Sequence, residues 1–297
     1  MANTSRISQA LEEIKKSLRR RQLRIFSAKQ LHQIFIKNRK KWNLPTAMTT
    51  KKFVQALELE VVIDQYHLDF SGEEFGGYYL CSSSANYIIA NIVPRTFISH
   101  ESALNVWAMV PPGNRIFINR EQSPSSGKAA KGTLVQSAID TAFSKPQREP
   151  GAPAEFNGID VFLIRGKFTD QLGVTEVTLK DRENVMVTDL ERTLIDCVVR
   201  PGYAPDPEEM VDIFRRAKAD ISVTLLADYL KKLNYTYPYH QCIGFYMERA
   251  QNYSADEIDL FFRQEIKYDF YLDYDIHEPV YDARWKLYYP QVLDLKK

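Results

Sequence analysis

Several sets of side chains have types and spacings that suggest chemistry. Ser99-His100-Glu101 holds the residue types of a hydrolytic triad. Triad members meet through the fold rather than as chain neighbours, so Ser99 reads better as a helix N-cap. Ser126-Gly127-Lys128 resembles the tail of a phosphate-binding loop. However, Gln122 stands where its leading glycine belongs, and Ala129 where its hydroxyl belongs. His240 and Cys242 have no partner pair nearby, which argues against a metal site. Asp189, Glu191 and Asp196 share one helix start, and clustered carboxylates can hold Mg²⁺ in nucleases. Yet Glu191 falls at the reciprocal position of a capping box, and Arg192 can neutralise a neighbour. The expectation is a non-enzyme with no metal and no cofactor.

The remaining set is different in kind. Lys51, Lys52 and Gln55 are the residue types that read base edges, Lys at guanine O6/N7 and Gln at adenine N6/N7. The elements that would position them follow from periodicity. Ile7, Leu11, Ile14 and Leu18 mark a first helix. Ser27-Ala28-Lys29-Gln30 is a capping box opening a second, with Leu31, Ile34 and Phe35 on its core side. Asn43-Leu44-Pro45 breaks it. A third helix starts at Thr49 or Thr50 and buries Phe53, Ala56 and Leu57, turning Lys51, Lys52 and Gln55 outward. Short strands follow at residues 61–63, 66–68 and 76–80. Three helices followed by a ribbon is the winged helix-turn-helix order, in which the start of the third helix meets the major groove.

Charge points the same way. The formal net charge of +1 conceals a split: residues 1–52 carry fourteen Lys/Arg against two acids, a net of +12, and the remainder carries −11. Such asymmetry suggests a polyanion-binding part and a second part with another task. Arg19, Arg20, Arg21, Arg24, Lys29, Arg39, Lys40 and Lys41 are the candidate phosphate contacts. Phosphate contacts add affinity without sequence information and weaken with salt.

The body, residues 81–297, reads as mixed α and β and rich in helices, so the fold class expected is α+β, divided at residue 80. Helices are expected at 85–92, 100–109, 134–143, 189–199, 207–218, 223–233, 239–251 and 255–264, with strands at 115–119, 159–165 and 185–187. Residues 123–132 read as a mobile loop, and 267–289 as short strands. Cys81, Cys197 and Cys242 are odd in number and widely spaced, as expected of thiols in a reducing compartment. The first twenty residues hold no secretory apolar segment, and no apolar run reaches the roughly 18 residues of a membrane span. The expectation is a cytoplasmic protein with no membrane partner.

Two stretches of the body carry a resemblance. Residues 97–104, with Ser99, His100 and Glu101, and residues 187–196, with Thr188, Asp189, Glu191, Arg192, Thr193 and Asp196, resemble the most characteristic segments of the AbiEi-type antitoxins. These belong to type IV toxin–antitoxin systems linked to abortive infection and phage defence. The resemblance implies a winged helix that binds inverted repeats at its own promoter and represses it. It implies a C-terminal domain that counters a nucleotidyltransferase-like toxin, typically without a stable complex. It places DNA contact on Thr50, Lys51, Lys52 and Gln55, and assigns no catalytic residue. Residues 42–48 look like an insertion relative to that family. The partners expected are therefore promoter DNA with repeated half-sites and a cognate toxin. The alternatives are a metal-dependent nucleic-acid enzyme using Asp189, Glu191 and Asp196, or a protein-interaction adaptor.

Overall fold

The computed structural model describes residues 6–21, 23–124, 134–148 and 150–294. The helices are α1 (Arg6–Arg19), α2 (Ala28–Asn38), α3 (Thr50–Leu59), α4 (Ala85–Ile92), α5 (His100–Val106), α6 (Gln136–Phe143), α7 (Leu190–Val199), α8 (Pro207–Ala217), α9 (Val223–Leu233), α10 (His240–Ala250) and α11 (Ala255–Phe262). The strands are β1 (Ile25–Phe26), β2 (Ile63–Asp69), β3 (Glu74–Leu80), β4 (Phe97–Ile98), β5 (Arg115–Asn119), β6 (Ala154–Phe156), β7 (Ile159–Ile164), β8 (Val174–Leu179), β9 (Glu183–Thr188), β10 (Phe270–Tyr271), β11 (Pro279–Asp282) and β12 (Leu287–Pro290). The class is α+β. Among the described residues no helix is long and apolar enough to cross a membrane. The phosphate-loop reading of Ser126-Gly127-Lys128, and most of the loop expected at 123–132, lie outside the described residues.

The chain divides into two compact units. The head unit is Met1–Arg95 with Ala152–Val161 and Thr178–Val185, and the rest forms the body unit. The head thus reaches past residue 80 and takes in two later segments. Side chains explain why. Glu183, 2% exposed, accepts from Arg24 Nη1 at 3.1 Å and from Ser84 Oγ at 2.6 Å. Tyr79 sets its ring edge against Phe156 and accepts from Asn157 Nδ2 at 2.9 Å. Local periodicity carries no trace of partners this far along the chain.

Within the head, α1, α2 and α3 enclose Ile14, Leu18, Leu31, Phe35, Phe53 and Leu57, all essentially inaccessible. The Ser27–Gln30 capping box forms as read. Residues 42–48 are no surface insertion: Trp42 stacks on Phe53 at 5.8 Å, and Leu44 is also buried. A small antiparallel sheet has the order β1-β3-β2, with Ile25 opposite Tyr79 and Ile63 opposite Leu80. The strand expected from 61 begins only at Ile63, because Val61 adopts φ 51° and turns the chain out of α3. Separately, β6 pairs with the start of β7, Ala154 facing Val161.

In the body, β4 pairs antiparallel with β5 and meets β9 in parallel at Ile98 and Val187. The large core gathers α7, α8, α9 and α10 with the C-terminal strands, whose order is β10-β12-β11. Helix α5 ends at Val106, short of residue 109, where Ala108 takes φ 58°. Helix α10 is the body's central element, with nine buried residues. Its Gln241 donates from Nε2 to Trp285 O at 2.5 Å and Tyr268 O at 3.0 Å, tying the tail to the helix. Trp285 lies flat against Gly244, where an added Cβ would fall 2.0 Å from the indole ring. In an open helix Gly→Ala stabilises by about 1 kcal/mol. Here the sign reverses: Gly244→Ala is expected to cost about 1–3 kcal/mol through overpacking, read as a lower urea midpoint with tryptophan fluorescence.

Candidate nucleic-acid interface

Helix α3 is built to show a polar face. Thr49 caps it, its hydroxyl accepting from Lys52 N at 3.3 Å. Phe53, Val54 and Leu57 face the core, which leaves Lys51, Lys52 and Gln55 exposed on the other side. Thr50 is half-buried and bonds His32 Nδ1 at 2.7 Å, so the first turn of α3 is pinned to α2. Lys29 is exposed on the first turn of α2. Positively charged side chains near helix starts and exposed backbone N–H groups are suited to phosphate. His32 had no distinguishing signal in the sequence.

The other cations divide. Arg20, Arg21, Lys40 and Lys41 are exposed, Lys41 pairing with Glu13 at 3.0 Å. Arg19 donates to Ser82 Oγ at 3.4 Å. Arg19, Arg20 and Lys41 line one shallow hollow with Glu12, Glu13, Lys15 and Lys16. Two candidates leave the interface. Arg24 is buried against Glu183 and over the Tyr87 ring, so no phosphate reaches it. Arg39 spends its guanidinium on Pro45 O, at 3.1 and 2.6 Å, and covers the Phe35 ring. It braces the chain between α2 and α3.

The motif residues of the body do come together, though as an internal network. Asp189 caps α7 by accepting from Arg192 N at 2.8 Å, and its other oxygen takes the Tyr229 hydroxyl at 2.9 Å. Burial pushes the Asp189 carboxyl up, against the downward pull of those bonds. Arg192, 3% exposed, donates to Asp196 at 2.8 Å and to Leu172 O at 2.7 Å. Thr193 donates to Asp189 O at 2.6 Å and lies 2.8 Å from the Thr188 hydroxyl, while Trp107 donates to Thr188 O. Glu191 is not the box partner expected: its carboxylate turns away to accept from Ser222 N at 2.7 Å, at the start of α9. The three acids considered for Mg²⁺ thus face three different partners. Among the described residues no group of three or more His, Cys, Asp or Glu could hold a metal.

Ser99 also departs from expectation. It stands at the N-cap position of α5, but its hydroxyl makes no cap bond and instead lies 2.8 Å from His100 Nδ1. Ser99 is fully buried, so the pair offers no route for substrate. Glu101 accepts from Arg115 at 2.8 Å. His100 packs edge-on to Tyr203 and adopts φ 55°. Tyr229, Thr169 and Trp107 complete the network and were not singled out by sequence, since each sits far along the chain from its partner.

No family model and no curated protein matches the chain. Among solved structures, the crystal structure of the RV2827C protein from Mycobacterium tuberculosis is similar in fold. Its TM-score is 0.58 at 11% identity, over 97% of this chain and 94% of that one.

Burial gives the network a pH signature. Desolvation drives the His100 pKa down to about 4; Asp196 opposes the shift, and Arg192 and Arg200 add to it. The folded value lies below the unfolded one of about 6.5. The stabilisation is therefore whole above pH 6.5 and is lost as pH falls towards 4. The loss attributable to this side chain is about 3 kcal/mol across that window. His240, also lowered to about 4, acts in the same direction. Denaturant melts at stepped pH are expected to show the slope, and His100→Asn, which tolerates positive φ, is expected to flatten it in part.

Proposed function

We propose that this chain is a DNA-binding transcriptional autorepressor and the antitoxin of a type IV toxin–antitoxin system. The observation that carries the DNA half is the exposed Lys51, Lys52 and Gln55 on a helix whose opposite side is sunk in the head core. The element order α1-β1-α2-α3-β2-β3, with strand order β1-β3-β2, supports reading the head as a winged helix. On that reading α3 enters the major groove, its N-terminal half meets base edges, and Lys29, Arg20, Arg21 and Lys40 neutralise phosphates. Repeated half-sites, a helical turn or a multiple apart, would take two heads. The antitoxin half rests on the resemblance at residues 97–104 and 187–196. Those residues form a packed, internally satisfied framework, so any contact with a nucleotidyltransferase-like toxin is made by surface that this framework holds in place.

The metal-enzyme alternative loses its support, because its three acids point to separate partners.

The DNA half is tested with the full chain and a duplex from immediately upstream of its own coding sequence. Lys51→Ala and Lys52→Ala are expected to weaken binding and to reduce the slope of log K against log salt by about 1 for each phosphate no longer neutralised. Gln55→Ala is expected to blunt discrimination against a scrambled duplex. Equal, weak binding to both duplexes by the unaltered chain would sink the repressor reading.

The antitoxin half is tested in cells carrying the neighbouring toxin gene under separate control. The Lys51→Ala/Lys52→Ala chain is expected still to protect, because protection is assigned to the body. Loss of protection in that variant would tie protection to DNA binding instead.

A further inference from the structure

The hairpin that follows α3 has the wrong charge for gripping a duplex. Between Ile63 and Leu80 the chain carries four acids, Asp64, Asp69, Glu73 and Glu74, and no Lys or Arg. The acids gather toward the tip. Asp69 and Glu74 are exposed and directly opposite each other on the last rung of the β2–β3 ladder. Like charges in that relation destabilise a hairpin, and a phosphate brought alongside would add a third negative group. His67, opposite Gly76, is the hairpin's one side chain able to gain positive charge, which cannot offset four carboxylates. Asp69 is further committed to the turn, accepting from Gly72 N at 2.6 Å. The helices before the hairpin carry the opposite charge, with fourteen Lys/Arg in residues 1–52.

We propose that the β2–β3 hairpin makes no attractive contact with nucleic acid, so that double-stranded DNA is held by helices alone, in one major groove, without the flanking minor-groove grip that a basic wing supplies. The inference rests on the DNA-binding reading above and narrows it to a surface: the first turns of α2 and α3 and the cations near them. It also sets a direction for affinity. At physiological salt, charges interact over about 8 Å, so the hairpin acids either stand clear of the duplex or oppose its approach. The rival is base reading by a carboxylate, which can accept from cytosine N4.

Glu74 separates the two, because it is exposed and lies outside the head core. The full-length chain is titrated against the upstream duplex over a range of salt, with hydroxyl-radical footprinting of the unaltered protein. Glu74→Gln is expected to leave affinity unchanged or tighten it. Glu74→Lys is expected to do the same and, where it tightens, to steepen the salt slope by up to about 0.9. The footprint is expected to lack protection in the minor groove beside the α3 site. A loss of about fivefold or more in either variant, the size of a broken base contact, overturns the proposal, provided thermal unfolding of the variant matches the parent. Minor-groove protection beside the site overturns it as well. Failure of the unaltered chain to bind any duplex at low salt overturns the DNA-binding reading, and this inference with it. Weakening by Lys51→Ala alongside indifference to Glu74→Gln supports both.

Discussion

Helix α7 buries all ten of its residues, four of them polar or charged: Glu191, Arg192, Thr193 and Asp196. Much of the body follows from that constraint. A charge placed in the interior is tolerated when it is paired and hydrogen-bonded, and an unmade bond there costs more than a made one returns. Arg192 therefore fixes both Asp196 and the Leu172 carbonyl, Glu191 fixes the first turn of α9, and Asp189 fixes Tyr229. Gly173 must be glycine-like at this point. It adopts φ 71°, its carbonyl accepts from Asp189 N at 2.7 Å, and a Cβ on it would fall 2.7 Å from that of Arg192. One Asp196 oxygen remains without a hydrogen bond.

That constraint recasts the residues that first suggested chemistry. A cluster of Asp, Glu, Arg and Thr in ten positions invites a catalytic reading from sequence. Its geometry is that of a clamp, with each polar atom directed at a different neighbouring segment. The same holds for Ser99 and His100, whose mutual bond is sealed from solvent and whose imidazole is held neutral by burial. Chemistry-bearing residue types that recur as a motif are here the means of satisfying a polar interior. The exposed Lys and Gln of α3 have no such internal duty.

Helix positions were legible in the sequence where caps marked them. Ser27, Thr49, Ser84, Ser222 and Ser254 each accept from a backbone N–H at the start of a helix, and α8 to α11 fall within a few residues of their expected bounds. Strands β1, β6 and β8 were not legible, because two or three residues, or a polar alternation, carry no distinctive period. Side-chain exposure divided along the same line. The outward face of α3 follows from its own periodicity, so Lys51, Lys52 and Gln55 stand on the surface as expected. Arg24 and Arg39 were misassigned to the surface because what removes them from it, Glu183 in one case and the Pro45 carbonyl in the other, is a matter of tertiary contact.

The burial of Arg24 has a consequence for how the head is assembled. Its carboxylate partner lies 159 residues further on, and that same carboxylate also takes Ser84, the cap of α4. A chain ending at residue 80 or 95 would leave the Arg24 guanidinium buried without its counter-charge, a defect of about 3–5 kcal/mol where such pairs are broken. That is comparable to the whole stability of a small domain. The basic segment that reads as an independent module is therefore completed only when residues 178–185 have been made. Charge asymmetry along the sequence marks where the cationic surface lies but not where the unit bearing it ends, because the counter-charge the head needs for its own core is borrowed from the acidic remainder of the chain.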